Sequence, residues 1–208
     1  MDYAKEYTKL HEVAGGKWFM GSTIKRYTGD IARLVEEQNP RSILDYGSGK
    51  GYQYLISRIH EKWGGLLPYC YDVGVRQLAE RPDRKFDSVI CTDMMEHIET
   101  SDIPGVLNDI FGFLTSDNRP TFVFLSIACR PDSKTERTYE MTEKRKRSLE
   151  TKGTKRLSGD RDVHVTVQLP DWWVPIIRKA ATQASRSQLK VRTGFELKTG
   201  QIVREVIL

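Results

Sequence analysis

Between residues 42 and 128 the chain alternates short apolar runs with stretches in which apolar residues recur at helical spacing. This alternation favours a parallel sheet, with right-handed crossovers that place helices on both of its faces. The apolar runs predict strands over residues 42–46, 66–71, 86–92 and 121–128. The intervening stretches predict helices over residues 52–61, 75–81 and 103–114. We therefore expect an α/β fold built on a doubly wound, mostly parallel sheet.

The segments on either side of this region predict further elements. Before it, residues 3–13 and a stretch that begins at Ser22 or Thr23 and ends at Asn39-Pro40 predict two helices. After it, we expect order to resume over residues 162–168, followed by a helix over 170–183 and strands over 188–197 and 201–207. The intervening Lys198-Thr199-Gly200 predicts that these last strands form an antiparallel hairpin.

Length and composition favour one globular domain over residues 1–208. Of these residues 38% are hydrophobic and 29% are charged, which suits a chain with a buried core. No apolar run approaches the ~20 residues that a membrane span needs, and the charged N-terminus lacks an apolar signal core. We therefore expect a cytoplasmic protein without a membrane partner. We expect N-terminal helices over residues 1–40 and a central sheet over 41–129. An insertion over 130–162 and a closing helix with hairpin over 163–208 should follow.

The three cysteines, Cys70, Cys91 and Cys129, lie in three different apolar runs. This placement predicts small core residues in a reducing compartment rather than disulfides. No paired spacing of Cys and His indicates zinc, and the sequence predicts no metal site.

Positive charge is concentrated in the second part of the chain. Residues 1–129 contain 15 Lys and Arg against 18 Asp and Glu, whereas residues 130–208 contain 18 against 10. Within the predicted insertion, residues 144–147 read Lys-Arg-Lys-Arg. This skew favours an anionic partner, with the insertion as a functional lid. A solvated surface loop explains the same pattern equally well.

The motif with the most specific chemistry is Asp45-Tyr46-Gly47-Ser48-Gly49-Lys50-Gly51, which follows the first predicted strand and opens a helix. In that position glycines permit positive φ angles and allow a phosphate or a nucleoside to approach the backbone. A Walker loop needs Gly-Lys-Ser/Thr in a longer frame, and a dinucleotide-binding turn spaces its glycines as G-x-G-x-x-G. The alternating G-x-G-x-G spacing fits neither.

Alternating glycines after an acid on the first strand resemble motif I of the class I S-adenosylmethionine-dependent methyltransferases. Two further segments are similar to that family. Tyr71-Asp72 ends the second predicted strand, where the family has an acid that binds the ribose hydroxyls. Residues 86–98, FDSVICTDMMEHI, resemble the family's segment F-D-x-V-x-x-x-x-x-L-E-H-I. The resemblance covers residues 41–128 and implies a class I methyltransferase-like, Rossmann-like fold with S-adenosylmethionine as cofactor.

The chain departs from the usual pattern of this family after the second strand. Only 13 residues separate Asp72 from Phe86, so the strand that normally supplies an adenine-contacting acid is shortened or lost. A smaller group of bacterial and phage methyltransferase-like proteins is similar in this short connection and in the T-D-x-x-E-H-I segment. It also has an H-x-T-x-x-x-P-x-W-W stretch, here residues 164–173. The adenine contact is then expected from elsewhere, such as Asp93-Met94.

The resemblance assigns cofactor binding to the carboxyl ends of the first three predicted strands. Asp45 would accept a hydrogen bond from the cofactor's amino group, directly or through water. Asp72 would bind the ribose, because one carboxylate can accept two hydroxyl hydrogen bonds. The expected cofactor-binding residues are Asp45, Tyr46, Gly47, Gly49, Gly51, Asp72, Val73, Thr92, Asp93 and Met94.

Three residues are candidate catalytic groups. His97 and His164 are candidate general bases, because neutral imidazole titrates near physiological pH. For His97 a structural role beneath a helix start is favoured over a catalytic one, and His164 equally fits an ordinary strand position. Glu96 is a candidate for binding acceptor hydroxyls, and it also fits a cap near a helix start. The candidate substrate-binding residues are Arg130, His164 and Trp172.

The acceptor of the methyl group is open on the sequence alone. The E-H-I element is typical of methyltransferases that act on small molecules, and the sequence lacks the motifs of common base methylation. A small polar or carbohydrate-like acceptor is therefore favoured. The alternative is a nucleic-acid-binding or nucleic-acid-methylating protein that uses the basic residues 130–161.

Trp172 and Trp173 are adjacent, so they cannot share one helix face. We expect one of them in the core and the other at the acceptor.

Overall fold

The computed structural model of the chain describes Lys5, Thr8 and residues 21–130, 164–184 and 186–208. At the centre of these residues lies a six-stranded sheet. Its strands are β1 (Ile43–Tyr46), β2 (Tyr69–Tyr71), β3 (Ser88–Thr92), β4 (Thr121–Cys129), β5 (Leu189–Leu197) and β6 (Ile202–Val206). Each strand overlaps a run for which the sequence predicts one.

The strands run in the order β2-β1-β3-β4-β5-β6. All neighbours are parallel except β5 and β6, which form the predicted antiparallel hairpin. The chain leaves β1 toward one edge of the sheet to form β2, and then returns to the other side of β1 to form β3. This reversal creates a crevice beyond the carboxyl ends of β1 and β3, which is where open α/β sheets bind ligands.

Helices cover both faces of the sheet, as the alternating pattern predicts. They are α1 (Thr28–Gln38), α2 (Tyr52–Leu55), α3 (Ile103–Gly112) and α4 (Pro170–Gln183). The first two pack on one face and the last two on the other. Successive strand residues point to opposite faces, so Ile43 of β1 joins the first core and Leu44 joins the second.

The closing helix α4 shows why these helices pack where they do. Trp173, Ile177 and Ala181 recur every four positions and are all buried, so they form one apolar stripe along the helix. Burying a side chain as large as that of Ile177 stabilises the fold by about 1.5–3 kcal/mol. Pro170 starts the helix, where its missing N–H costs no hydrogen bond. The structure confirms this predicted helix. It also confirms that one of the two adjacent tryptophans, Trp173, lies in the core.

The helix predicted over residues 52–61 is wrong beyond its first turn. α2 ends at Leu55, and Arg58 adopts a left-handed conformation with φ 47°. The chain then continues as a 3₁₀ turn, Ile59–Trp63, whose first and last residues are buried. Leu55 and the following Ile56 are exposed, so the apolar residues that suggested one helix do not share a buried face.

The helix predicted over residues 75–81 is also wrong. These residues form turns and irregular chain. The N–H of Asp72 donates to the carbonyl oxygen of Leu78 at 3.0 Å, which closes the loop back onto the end of β2. Hydrogen bonds to the strand end thus replace those of a helix.

Residues 164–169, where we expected order to resume, have no regular secondary structure. His164 and Thr166 are buried, whereas Val165 and Val167 are exposed. Over residues 164–167 the polar side chains therefore face the interior and the valines face outward, which reverses the usual pattern of an amphipathic strand.

Several predicted features lie outside the described residues. They include most of the helix predicted over residues 3–13 and residues 131–162 of the insertion, with its basic residues 144–147. The three cysteines are free, and Cys91 and Cys129 are buried as predicted, whereas Cys70 is partly exposed. Among the helices in the described part of the chain, none has both the length and the apolar character to cross a bilayer.

Candidate functional site

The loop after β1 makes a tight bend at the crevice. Gly47, Gly49 and Gly51 have φ angles of 74°, 58° and 68°, a region that residues with a Cβ rarely adopt. The N–H groups of Gly47 and Ser48 donate to the carbonyl oxygen of Tyr71 at 2.8 and 3.2 Å, which fixes the bend to the end of β2. The alternating glycines therefore serve a bend at the topological switch point of the sheet.

Asp72 lies beside this bend, as the sequence predicts. Its Oδ2 accepts a hydrogen bond from the N–H of Gly49 at 2.8 Å, and its Oδ1 accepts one from the N–H of Gly74 at 2.9 Å. The carboxylate thus joins the loop after β1 to the loop after β2. Each carboxylate oxygen has two lone-pair sites, so each keeps capacity for one further donor. Binding of a ribose by Asp72 stays a prediction.

Met94, which follows β3, packs against the bend from the other side. A Cβ added to Gly47 would lie only 2.6 Å from Met94 Cγ. Met94 and Val73 are partly buried against the larger core. Thr92 is the last residue of β3 and is buried. The predicted cofactor-binding residues of the loops after β1, β2 and β3 thus meet at one edge of the sheet.

Asp45, the acid of the glycine motif, is buried at the end of β1. Its Oδ2 accepts hydrogen bonds from the Tyr54 hydroxyl at 2.7 Å and from Gln53 Nε2 at 3.2 Å. No group of the described residues donates to Oδ1. Burial raises the pKa of Asp45 to about 7, although the hydrogen bonds from Tyr54 and Gln53 oppose the rise. Contact with a cofactor amino group stays a prediction, and Oδ1 is the oxygen with capacity for it.

Tyr46 directs its side chain into the core. Its ring lies edge-on to that of Tyr71, with centroids 5.3 Å apart, and also packs near Phe113. Its hydroxyl donates to Asp109 Oδ2 at 3.0 Å, and Arg81 binds the same carboxylate through both of its terminal nitrogens. Burial raises the pKa of Tyr46. Any contact of Tyr46 with a cofactor would therefore come from its backbone.

A second group of polar side chains gathers after β3, around Asp93. This residue adopts a left-handed conformation with φ 57°, which costs a residue with a Cβ about 1–2 kcal/mol. Its N–H donates to the carbonyl oxygen of Ser126 in β4 at 3.0 Å. Its Oδ2 accepts a hydrogen bond from the hydroxyl of Thr23 at 2.8 Å. Contacts to β4 and to the 3₁₀ turn Ser22–Tyr27 thus hold the carboxylate in place.

Glu96 is fully buried next to Asp93. Its Oε1 accepts the N–H of Ala128 at 3.1 Å, and its carboxyl hydrogen-bonds that of Asp93. Two carboxyls share such a bond only when one of them carries a proton. Burial, together with the charge of Asp93, raises the pKa of Glu96 well above its ordinary value. Burial also acts to raise the pKa of Asp93, but the hydrogen bonds from Glu96 and Thr23 hold it below its ordinary value.

His97 and His164 complete this second group. Their rings meet edge to face, with centroids 4.9 Å apart. One ligand-type atom from each of Glu96, His97 and His164 lies within 4.8 Å of the other two. The structure therefore brings all three predicted catalytic residues together. We call Glu96, His97 and His164 the Glu-His-His cluster.

The tautomer of His164 follows from its backbone contact. Its Nδ1 lies 2.7 Å from the carbonyl oxygen of Arg130. Because a carbonyl oxygen can only accept, Nδ1 carries a proton, and the lone pair of the neutral ring is on Nε2.

Arg130 and Trp172 are the other two predicted substrate-binding residues. Arg130 Nη2 lies 3.2 Å from Glu196 Oε1 on β5, and Arg26 pairs with the same oxygen. Trp172 is half-buried against the larger core and lies perpendicular to Trp173, with ring centroids 5.0 Å apart. Arg130 is joined to the Glu-His-His cluster through its carbonyl contact with His164. Substrate binding by Arg130 and Trp172 stays a prediction.

Sequence reasoning missed two threonines that organise this site. Thr166 binds the turn after β3 twice, through its N–H to Glu96 O at 3.0 Å and through its hydroxyl to Ile98 O at 2.6 Å. The H-x-T spacing places Thr166 two positions after His164 and could have suggested its role. Nothing in the sequence connects Thr23 with Asp93, 70 positions later, because that contact depends on how the 3₁₀ turn crosses the sheet.

Neither protein-family models nor curated proteins match this chain. A small pocket whose lining includes Arg119 and Arg186 lies before β4 and β5, at the opposite edge of the sheet from the glycine bend. The glycine bend with Asp72 and the Glu-His-His cluster, both at the carboxyl ends of the strands, are therefore the candidate functional site.

Proposed function

We propose that this protein is an S-adenosylmethionine-dependent methyltransferase with a small polar or carbohydrate-like acceptor. The observation that carries the proposal is the hydrogen bond between Gly49 and Asp72, which holds a carboxylate beside a glycine bend at the topological switch point. Open α/β sheets bind their ligands at such points. The resemblance of the same residues to motif I and to the ribose-binding acid of the class I family supports the same function.

The chemistry of Asp72 suits the cofactor in two ways. Each of its oxygens has one acceptor site left beside its backbone N–H partner, and two acceptor sites match the two hydroxyls of a ribose. Its negative charge also complements the positive sulfonium. Because Gly49 and Gly74 already hold the carboxylate, little side-chain freedom is lost when a ligand binds.

The second polar group suits the acceptor. The methyl group of a sulfonium is already electrophilic, so the enzyme mainly has to position the acceptor oxygen in line with it and accept its proton. The contact between Met94 and Gly47 links the glycine bend to the turn after β3, which contains Glu96 and His97 of the Glu-His-His cluster. We infer that the acceptor lies over this turn, with an imidazole of His97 or His164 near its hydroxyl.

Calorimetry with S-adenosylmethionine and S-adenosylhomocysteine tests the cofactor. We expect both to bind, and we expect Asp72→Asn to weaken binding about 10- to 100-fold, as for the loss of hydrogen bonds to a charged group. The native protein should bind an analogue of S-adenosylhomocysteine that lacks the ribose hydroxyls more weakly than S-adenosylhomocysteine, by a similar factor. The Asp72→Asn variant should bind the analogue and S-adenosylhomocysteine equally well.

The matched control is Asp83→Asn, which removes an exposed acid in the connection between β2 and β3. It should bind both ligands as the native protein does. Failure of both ligands to bind the native protein would overturn the proposal.

The acceptor class needs a separate experiment. Protein and labelled cofactor are incubated with cell extract, and mass spectrometry searches for products that have gained one CH₂. We expect labelled small molecules. Label in RNA or DNA would instead favour the nucleic-acid alternative, whose basic residues in 130–161 lie outside the described residues except for Arg130.

A further inference from the structure

We propose that Glu96, His97 and His164 bind a divalent transition-metal ion. One ligand-type atom from each lies within 4.8 Å of the other two. Two imidazoles and one carboxylate are a donor set that suits zinc, iron(II), manganese(II) or cobalt(II) better than magnesium or calcium. Metal binding at this cluster does not depend on the proposed methyl transfer.

Sequence spacing did not indicate the site because its ligands are far apart in the chain. Glu96 and His97 follow β3, whereas His164 lies beyond the predicted insertion. The fold joins them through Thr166, whose N–H donates to Glu96 O at 3.0 Å and whose hydroxyl donates to Ile98 O at 2.6 Å. The two halves of the cluster are therefore fixed to each other before any ion binds.

The contact of His164 with the backbone is typical of a metal ligand. Metal-binding histidines generally donate their second ring N–H to a carboxylate or a backbone carbonyl, which fixes the tautomer and the ring orientation. His164 makes such a contact from Nδ1 to the carbonyl oxygen of Arg130 at 2.7 Å. The lone pair of its neutral ring is then on Nε2, the nitrogen that we assign to the ion.

Glu96 provides an independent observation. The residue is fully buried, and its Oε2 has no hydrogen-bond donor among the described residues. Its carboxyl neighbour is Asp93, so without an ion the two groups need a shared proton. Two buried carboxyls in contact are costly when both are ionised. A cation at the cluster would take the place of that proton and would offset the charge of both carboxyls.

Binding of an ion requires the three ligand atoms to approach one another. Tetrahedral ligands at about 2.1 Å from one ion lie about 3.4 Å apart, so atoms that are now within 4.8 Å of one another move closer by up to about 1.4 Å. Three protein ligands leave coordination positions for oxygen atoms. If the proposed function holds, one of these positions takes the hydroxyl oxygen of the methyl acceptor, which would lie near the bend through the contact of Met94 with Gly47. The ion would then replace an imidazole base by lowering the pKa of that hydroxyl, because a histidine that binds the ion has no lone pair for a proton.

Titration of the full chain with metal ions tests the site. The protein is first stripped with a chelator, and Mn²⁺ or Co²⁺ is then added while binding is followed by calorimetry and by the visible absorption of Co²⁺. We expect one ion per chain at this site, with Mg²⁺ competing weakly. His164→Ala and Glu96→Gln should each weaken binding more than about 10-fold. The control His60→Ala, which removes an imidazole that packs on Tyr54, should bind as the native protein does.

Thermal unfolding tests metal binding separately when a variant is less stable than the native protein. Because an ion that binds only the folded state raises its melting temperature, Co²⁺ should raise that of the native protein and of His60→Ala but not that of folded His164→Ala. The proposal is overturned if the native protein binds no ion, or if His164→Ala and Glu96→Gln bind it as tightly as the native protein. All measurements omit S-adenosylmethionine, so a negative result leaves the cofactor proposal standing, and binding of that cofactor to the metal-free protein tests it separately.

Discussion

Gly49 donates its backbone N–H to the carboxylate of Asp72 at 2.8 Å, and this bond joins the loops that follow two adjacent strands, β1 and β2. The second oxygen of the carboxylate accepts the N–H of Gly74 at 2.9 Å. Hydrogen bonds to an ionised acceptor are stronger than neutral ones. Asp72 therefore organises the bend in the free protein, whatever ligand it binds.

Replacement of Asp72 by alanine should loosen both loops. We expect Asp72→Ala to lower the free energy of unfolding by about 1–3 kcal/mol, because two backbone N–H groups lose their acceptor. Urea denaturation measures this loss, and hydrogen exchange should accelerate at the amides of Gly49 and Gly74. Asp83→Ala is the control, with both quantities unchanged. Unaltered exchange at the two amides in Asp72→Ala would contradict the bridging role.

Gly47 is constrained by both its conformation and its neighbour. Its φ of 74° disfavours any residue with a Cβ, and that Cβ would lie 2.6 Å from Met94 Cγ. Gly47→Ala should therefore lower the free energy of unfolding by about 2 kcal/mol or more. Adding Met94→Ala should relieve most of the clash, although Met94 Cβ stays 3.1 Å from the new Cβ, but it should not relieve the conformational cost. Urea denaturation of both variants, with Met94→Ala alone as the reference, separates the two contributions.

The matched control for Gly47→Ala lies in α3. A Cβ at Gly105 meets no atom within 4 Å, and the residue is exposed within a helix. Gly105→Ala should therefore raise the free energy of unfolding by about 0.5–1 kcal/mol. If Gly47→Ala were as stable as the native protein, the described packing of Met94 on the bend would be wrong.

The sheet was predictable because its signals are local. Apolar runs such as residues 121–128 mark strands wherever they pack, and the glycines between β1 and α2 mark a bend because few other residues tolerate positive φ. The predicted helix over residues 52–61 failed because its apolar residues do not all face the core, since Leu55 and Ile56 are exposed. The chain turns at Arg58, which has a φ of 47°, and the 3₁₀ turn Ile59–Trp63 then buries its first and last residues.

The candidate site was predictable only in part. The glycine bend and Asp72 carry sequence motifs, so their proximity could be expected. The proximity of the Glu-His-His cluster could not, since it depends on residues 164–169 returning to the turn after β3. In this segment Val165 and Val167 are exposed, whereas His164 and Thr166 are buried. The roles of Thr23 and Thr166 are likewise set by tertiary contacts.

The adjacent tryptophans of α4 should behave differently when truncated. Trp173 is fully buried, whereas Trp172 is half-buried. Trp173→Ala should lower the free energy of unfolding by about 3–5 kcal/mol, as expected when a large core side chain is removed. Trp172→Ala should cost less than half as much, because part of its surface already contacts water. Urea denaturation of the two variants tests the difference, and equal losses would contradict the assignment of Trp173 to the core.

Asp45 should make the stability of the protein depend on pH. Burial raises its pKa from the ordinary 3.8 to about 7, so between these values the folded state binds a proton that the unfolded state has released. The contribution of Asp45 to stability should therefore fall as the pH rises from about 4 to about 7 and should not change further above that range. The full effect of this one carboxyl is on the order of 4 kcal/mol.

Asp45→Asn removes this dependence while keeping the size of the side chain. Its amide oxygen can still accept hydrogen bonds from the Tyr54 hydroxyl and from Gln53 Nε2. We expect the variant to lose less stability than the native protein between pH 5 and pH 8, measured by urea denaturation at both values. Asp83→Asn should retain the native profile. A profile for Asp45→Asn as steep as that of the native protein would show that this carboxyl is ionised in the folded state throughout the range.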